Sequence, residues 1–124
     1  MKDQLWIEPV GDLIIARLRG EPNEALLRAC QEEVLRLVQE AGRGKVLYDV
    51  LEMIAPPPEL TFVQLALDED LDGVELRRAI VVPNTRLAYL ARIAFGVGDY
   101  RVFYNDITSA IQWLNTDAEH VRLK

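Results

Sequence analysis

Cysteine, histidine and serine each occur once in this chain, as Cys30, His120 and Ser109. A lone cysteine cannot close an intrachain disulfide, and one His with one Cys does not make a usual zinc site. Ser–His–acid or Cys–His chemistry needs a base held within hydrogen-bond reach by packed structure, and His120 falls in a polar tail. Positive charge is also short: 14 Lys and Arg stand against 20 Asp and Glu, a net charge of −6. Nucleic acids and anionic membrane surfaces call for clustered positive charge, so neither is an expected partner. No run approaches the roughly 20 apolar residues of a membrane span, and no charged-then-apolar signal segment leads the chain. No glycine loop follows a strand as a phosphate cradle requires; Gly42, Gly44, Gly96 and Gly98 all precede one. These absences read against an enzyme, a metal, a cofactor or a membrane span, and for a protein of the reducing cytoplasm.

What is present is a patterned α/β sequence. The 124 residues, half of them hydrophobic, suit one domain with a single core, running from about residue 5 to 114, with 115–124 a loose tail. Leu5 to Val10 and Leu13 to Leu18 are β-rich runs joined by the turn pair Gly11-Asp12. From Asn23 to Ala41, Leu27, Cys30, Val34, Leu37, Val38 and Ala41 recur at helical spacing, and Gly42 ends the run. On the opposite face Glu24 with Arg28 and Glu32 with Arg36 form i,i+4 pairs. Cys30 lies on the apolar stripe and reads as a small core residue.

Val46 to Val50 is a short, buried, central strand. Pro58 then opens a second helix with Leu60, Val63 or Gln64, and Leu67 inward. Arg78 to Pro83 is a further apolar strand, and Thr85 is placed to cap a helix from Arg86 to Phe95. Tyr100 to Tyr104 is the last strand, with Asn105 or Asp106 capping a final helix through Leu114. The order β-β-α-β-α-β-α-β-α argues for one mixed, mostly parallel sheet, with the first hairpin as its antiparallel edge.

Open α/β sheets bind ligands and partners at the carboxyl ends of their strands, at a topological switch point. The candidate site is therefore the loop after the central strand, Glu52, Met53, Ile54, Pro56, Pro57, Pro58, Thr61 and Phe62, with Pro83, Asn84 and Thr85 beside it. Other motifs point less far. Asp68-x-Asp70-x-Asp72-Gly73 matches the start of a calcium loop, but Ala79 stands where the bidentate glutamate belongs, so the stretch reads as a solvated acidic loop. Asp49 and Glu52 near the strand end read as solvated or salt-bridged carboxylates. Ser109 sits where helix capping explains it. Arg77, Arg78, Arg86, Arg92 and Arg101, with Tyr89 and Ile93 on the helical face of Arg86, fit either a partner interface or the neutralisation of the chain's own carboxylates.

The strand Lys45-Val-Leu-Tyr-Asp-Val, the strand Arg78-Ala-Ile-Val-Val-Pro and the ending Tyr100-Arg-Val-Phe-Tyr-Asn-Asp-Ile-Thr-Ser-Ala-Ile-Gln-Trp-Leu resemble the bacterial SpoIIAA-like group of the STAS superfamily. The resemblance covers about residues 5 to 114. It implies a regulatory or protein-interaction module, self-association into a homodimer included. Antagonists of that family carry a phosphorylated serine between the central strand and the next helix; here the segment reads Ile54-Ala-Pro-Pro-Pro-Glu-Leu-Thr61, without a serine, and Thr61 is its nearest hydroxyl. The superfamily look extends to Sec14-type lipid-binding domains. That implies the alternative of a carrier for a small hydrophobic molecule, in a pocket lined by Phe62, Leu65 and the third helix.

Overall fold

A hairpin set by one glycine opens the fold. β1 (Leu5–Val10) and β2 (Leu13–Gly20) pair antiparallel around Gly11. Its φ of 60° is the positive value that a Gly-first two-residue turn needs. The computed structural model describes residues 4–41, 44–69, 71, 73–95 and 99–116. The predicted tail lies outside these from residue 117 on, and so do Gly42 and the Gly96-Val97-Gly98 helix stop.

After the hairpin the chain alternates: α1 (Glu24–Ala41), β3 (Gly44–Met53), α2 (Pro58–Glu69), β4 (Leu76–Val82), α3 (Thr85–Phe95), β5 (Tyr100–Tyr104) and α4 (Ile107–Leu114). Short polar side chains start three of these helices. Asn23 Oδ1 accepts the Leu26 amide at 2.8 Å, Asn84 Oδ1 the Leu87 amide at 2.9 Å, and Asp106 Oδ1 the Ser109 amide at 2.9 Å. Asn84, and not the expected Thr85, therefore caps α3, because its side chain is one residue better placed for the orphan amides. Asn105 takes φ 51° and turns the chain, leaving the cap to Asp106. On α1 the buried stripe is Leu26, Cys30, Val34, Leu37 and Val38. Leu26 replaces Leu27 at its head, and Ala41 is exposed. Arg28 pairs with Glu24 as expected, but Arg36 takes Glu33 and Glu40 in place of Glu32.

The strands form one sheet in the order β1-β2-β3-β4-β5, parallel from β2 onward. Every crossover steps to the next strand in the same direction, so crossovers of one hand leave their helices on one face. That face carries a core of Ile14, Ala16, Val46, Ile80 and Val82 packed by α1 and α3. The other carries Leu13, Leu47, Ala79 and Val81 under Ala110 and Leu114 of α4. Burying each Val, Leu or Ile among these contributes roughly 1.5–3 kcal/mol. The neighbours Arg77 and Arg78 part across the sheet. Arg77 lies 3.8 Å over the Trp113 ring and donates to the Trp113 carbonyl at 3.1 Å, while Arg78 turns to the three-helix face. Since the strand order never reverses, the sheet has no topological switch point, and that premise of the expected site is corrected.

Candidate functional site

The helix α2 does not sit on the sheet. It packs on α3 and on α1 and closely approaches no strand, and only Thr61 and Leu67 of its residues are buried. The reason is in its sequence: Leu60, Phe62, Val63, Leu65 and Leu67 spread around the helix instead of forming one stripe. Beneath it lies a cavity of about 90 Å³. Tyr48, Val50 and Ile80 form its floor, Leu60, Thr61 and Gln64 its roof, and Leu87, Leu90 and Ala91 one side. Leu18, Met53 and Pro56 stand at the carboxyl edge, while Cys30 and Phe95 close the inner end. None of the lining residues is charged.

A register irregularity decides which side chain of β3 reaches this space. Between the pairs Arg17↔Asp49 and Arg19↔Glu52, β2 advances two residues and β3 three, so β3 carries one extra residue. A bulge of this kind re-aims the side chains beyond it. Tyr48 and Val50 face the cavity, and past the bulge Met53 does so, while Glu52 is exposed. Asp49 completes the bulge from the opposite face. Its Oδ1 accepts the Leu51 amide at 3.1 Å and its Oδ2 accepts from Arg17 Nε at 3.1 Å. The Asp49–Glu52 pair therefore separates into a buried, bonded carboxylate and a solvated one.

The inner end of the cavity is polar but held neutral. Burial pushes the Cys30 thiol up to about 12 and pushes the Tyr48 phenol up as well. Tyr48 stacks on Phe95 with ring centroids 5.7 Å apart, and the Arg78 guanidinium lies 4.7 Å over the other side of the cluster at Phe95. Arg78 is buried and pairs with Asp68 through Nη1 to Oδ1, and through Nη2 to Oδ2 at 3.4 Å. Gln31 Nε2 donates to the Leu67 carbonyl at 2.7 Å. The carboxyl end of α2 is thus tied to β4 and to α1. Asp68, expected in a solvated loop, is half-buried in an ion pair; Asp70 and Asp72 lie outside the described residues. Among the described residues no group of three or more His, Cys, Asp or Glu could hold a metal ion.

Of the predicted site residues the structure brings Met53, Pro56 and Thr61 to the cavity. Thr61 is buried, with its hydroxyl donating to the Pro58 carbonyl at 2.6 Å. Glu52, Ile54, Pro57, Pro58 and Phe62 are exposed, Phe62 by 65%. Pro83, Asn84 and Thr85 shape the start of α3 without lining the space, and neither Phe62 nor Leu65 lines the pocket expected of them. Sequence reasoning missed Tyr48, Cys30 and Gln31. The available signal was a tyrosine in an otherwise aliphatic central strand, next to the strand's carboxylate, Asp49. Of the arginines, Arg77 and Arg78 are internally bonded, Arg101 lies 5.3 Å over Phe103, and Arg86 and Arg92 are exposed on α3.

A five-stranded sheet in chain order, with three crossover helices on one face and a terminal helix on the other, is the SpoIIAA-like fold. The chain is similar to a crystal structure of an uncharacterized protein from the DUF3478 family with that fold, from Shewanella loihica PV-4. The two are 20% identical, the match covers 89% of this chain and 91% of that one, and the TM-score is 0.60. No protein-family model matches the sequence, and no curated protein does. No helix among the described residues is long and apolar enough to cross a membrane.

Proposed function

We propose that this chain is a non-enzymatic binding module that takes up a small, largely apolar molecule beneath α2. The observation that carries the reading is the uncharged cavity itself, roofed by a helix that makes no close approach to the sheet. A closed core would leave no such space, because protein interiors tolerate few voids larger than a water molecule. At about 90 Å³ the space falls below the roughly 300–1,000 Å³ of drug-sized sites, so the ligand is small and a whole phospholipid does not fit this form. Against catalysis stand two committed nucleophiles. Ser109 Oγ donates to Asp106 at 2.7 Å, and the Cys30 thiol is neutral. Native mass spectrometry of protein purified without denaturation tests the reading. A co-purified mass of one to two hundred daltons that leaves on activation is expected, and Ala91→Phe, which fills the cavity, abolishes it. Retention of that mass in the filled variant refutes the assignment.

A second reading is a protein-interaction module, with self-association as its simplest form. Ile54 at 58% and Phe62 at 65% exposure favour it, since both lie on the β3–α2 segment where rigid prolines reduce the entropy lost on binding. Ile54→Asp with Phe62→Asp leaves the fold and the cavity intact and is expected to shift any dimer to monomer in sedimentation. An unchanged sedimentation profile of a self-associating protein removes this surface from consideration. Met53 is unsuitable for that test because it lines the cavity.

A further inference from the structure

The cavity presents one hydroxyl without a partner among the described residues. Tyr48 stands on the floor, and among the described residues its hydroxyl has no hydrogen-bond partner. Tyr48 is half-buried and its hydroxyl is open to this space, so a ligand that displaces water from it must replace that hydrogen bond or lose affinity. The other polar side chains of the wall are differently placed. Gln31 Nε2 and Thr61 Oγ1 already donate to the carbonyls of Leu67 and Pro58. Gln64, on the roof, is likewise half-buried, but its longer flexible side chain fixes no position for a ligand atom as the Tyr48 ring, packed on Phe95, does. Cys30 offers a weak thiol donor at most.

The same end of the cavity rejects charge. No lining residue is ionised, and the charge of the nearby cation, Arg78, is matched by Asp68 through its two Nη atoms, its Nε, outside the lining, being buried without a partner among the described residues. Moving an ionised carboxylate into such a wall leaves it without a counter-charge, which is far costlier than burying a neutral polar group. The volume corresponds to about six to nine water-sized groups at roughly 10–15 Å³ each.

Resting on the cavity reading above, we infer that the ligand is an uncharged molecule of about six to nine heavy atoms with one polar oxygen, of the ketone, ester or alcohol class, its oxygen bonded by the Tyr48 hydroxyl. That oxygen lies at the inner end, and the apolar remainder extends under α2 toward Met53 and Pro56.

A matched series on the intact chain tests this: 2-heptanone, heptane and heptanoate at neutral pH, each titrated into wild type and Tyr48→Phe, followed by amide shifts at Cys30, Gln31 and Tyr48. The ketone is expected to bind wild type best and to weaken about three- to tenfold in Tyr48→Phe, the range of one neutral hydrogen bond. Heptane binding stays unchanged between the two, and heptanoate binds at least tenfold more weakly than the ketone. Equal binding of ketone and heptane, indifferent to Tyr48→Phe, overturns the role of the hydroxyl while leaving the cavity as a binding site. Heptanoate binding as tightly as the ketone overturns the selection for neutral ligands. Absence of shifts with all three in wild type, together with a bare mass in native spectrometry, overturns the cavity reading and this inference with it.

Discussion

Single side chains in this protein act mainly by closing accounts that the backbone leaves open. Asn84 satisfies an orphan amide at the start of α3, so Asn84→Ala is expected to lower stability by about 1 kcal/mol in urea unfolding. Arg78 and Asp68 show the opposite economy. Their pairing sits where water is scarce, and removing one partner strands the other. Asp68→Asn is expected to cost about 3 kcal/mol, and a loss below 1 kcal/mol would show that the pair is solvated. Cys30 supplies a pH signature. Its thiol stays neutral in the fold up to about 12 but ionises near 9.0 when unfolded. The unfolded chain then binds fewer protons, so stability falls as pH rises between those two values. Its contribution to the slope is at most about 1.4 kcal/mol per pH unit, and Cys30→Ala is expected to flatten the alkaline limb in a denaturant series from pH 8 to 11.

At the scale of elements, legibility followed periodicity. α1 and α3 were readable because their apolar residues keep to a stripe, and β4 because its five-residue run from Arg78 to Val82 is buried on both faces. α2 was readable as a helix but not as a roof. A sequence shows that its apolar residues are scattered, yet it does not show the gap that this leaves above the sheet. The carboxyl end of β3 was misjudged by three residues, as the strand runs to Met53, because Leu-Glu-Met looks like an exit from a strand when the bulge is not visible. That bulge is also why Met53 was found and Tyr48 was not. A period of two predicts Glu52 facing the helices, and only the extra residue swings it out. Two changes address it. Asp49→Ala removes the acceptor of the Leu51 amide and is expected to cost about 1–3 kcal/mol and to weaken ligand retention. Deleting Leu51 removes the extra residue, leaves Met53 two positions after Val50 on the cavity face with Glu52 outside, and is expected to preserve retention. Loss of retention after the deletion would show that the bulged backbone itself shapes the lining.

At the scale of the molecule, the two faces of the sheet are unequally dressed. On one, α1 and α3 pack against the strands with α2 above them; the eight residues of α4 cover part of the other, and beside them Arg17 bridges Asp49 and lies 5.6 Å over Trp6. The binding proposal belongs to the heavily covered face, where a helix can stand off the sheet because α1 and α3 already seal most of it. The unbroken strand order carries a kinetic meaning as well. Each strand lies beside the one made just before it, so the sheet can grow in one direction, every new strand finding its template already laid. No late strand must be threaded between two earlier ones, and loop closures stay short for an α/β chain. Stopped-flow refolding is accordingly expected as a single exponential in the millisecond range. On a ribosome, the emerging chain would present at every stage a partial sheet with one growing edge, finished from hairpin to last helix in the order of its synthesis.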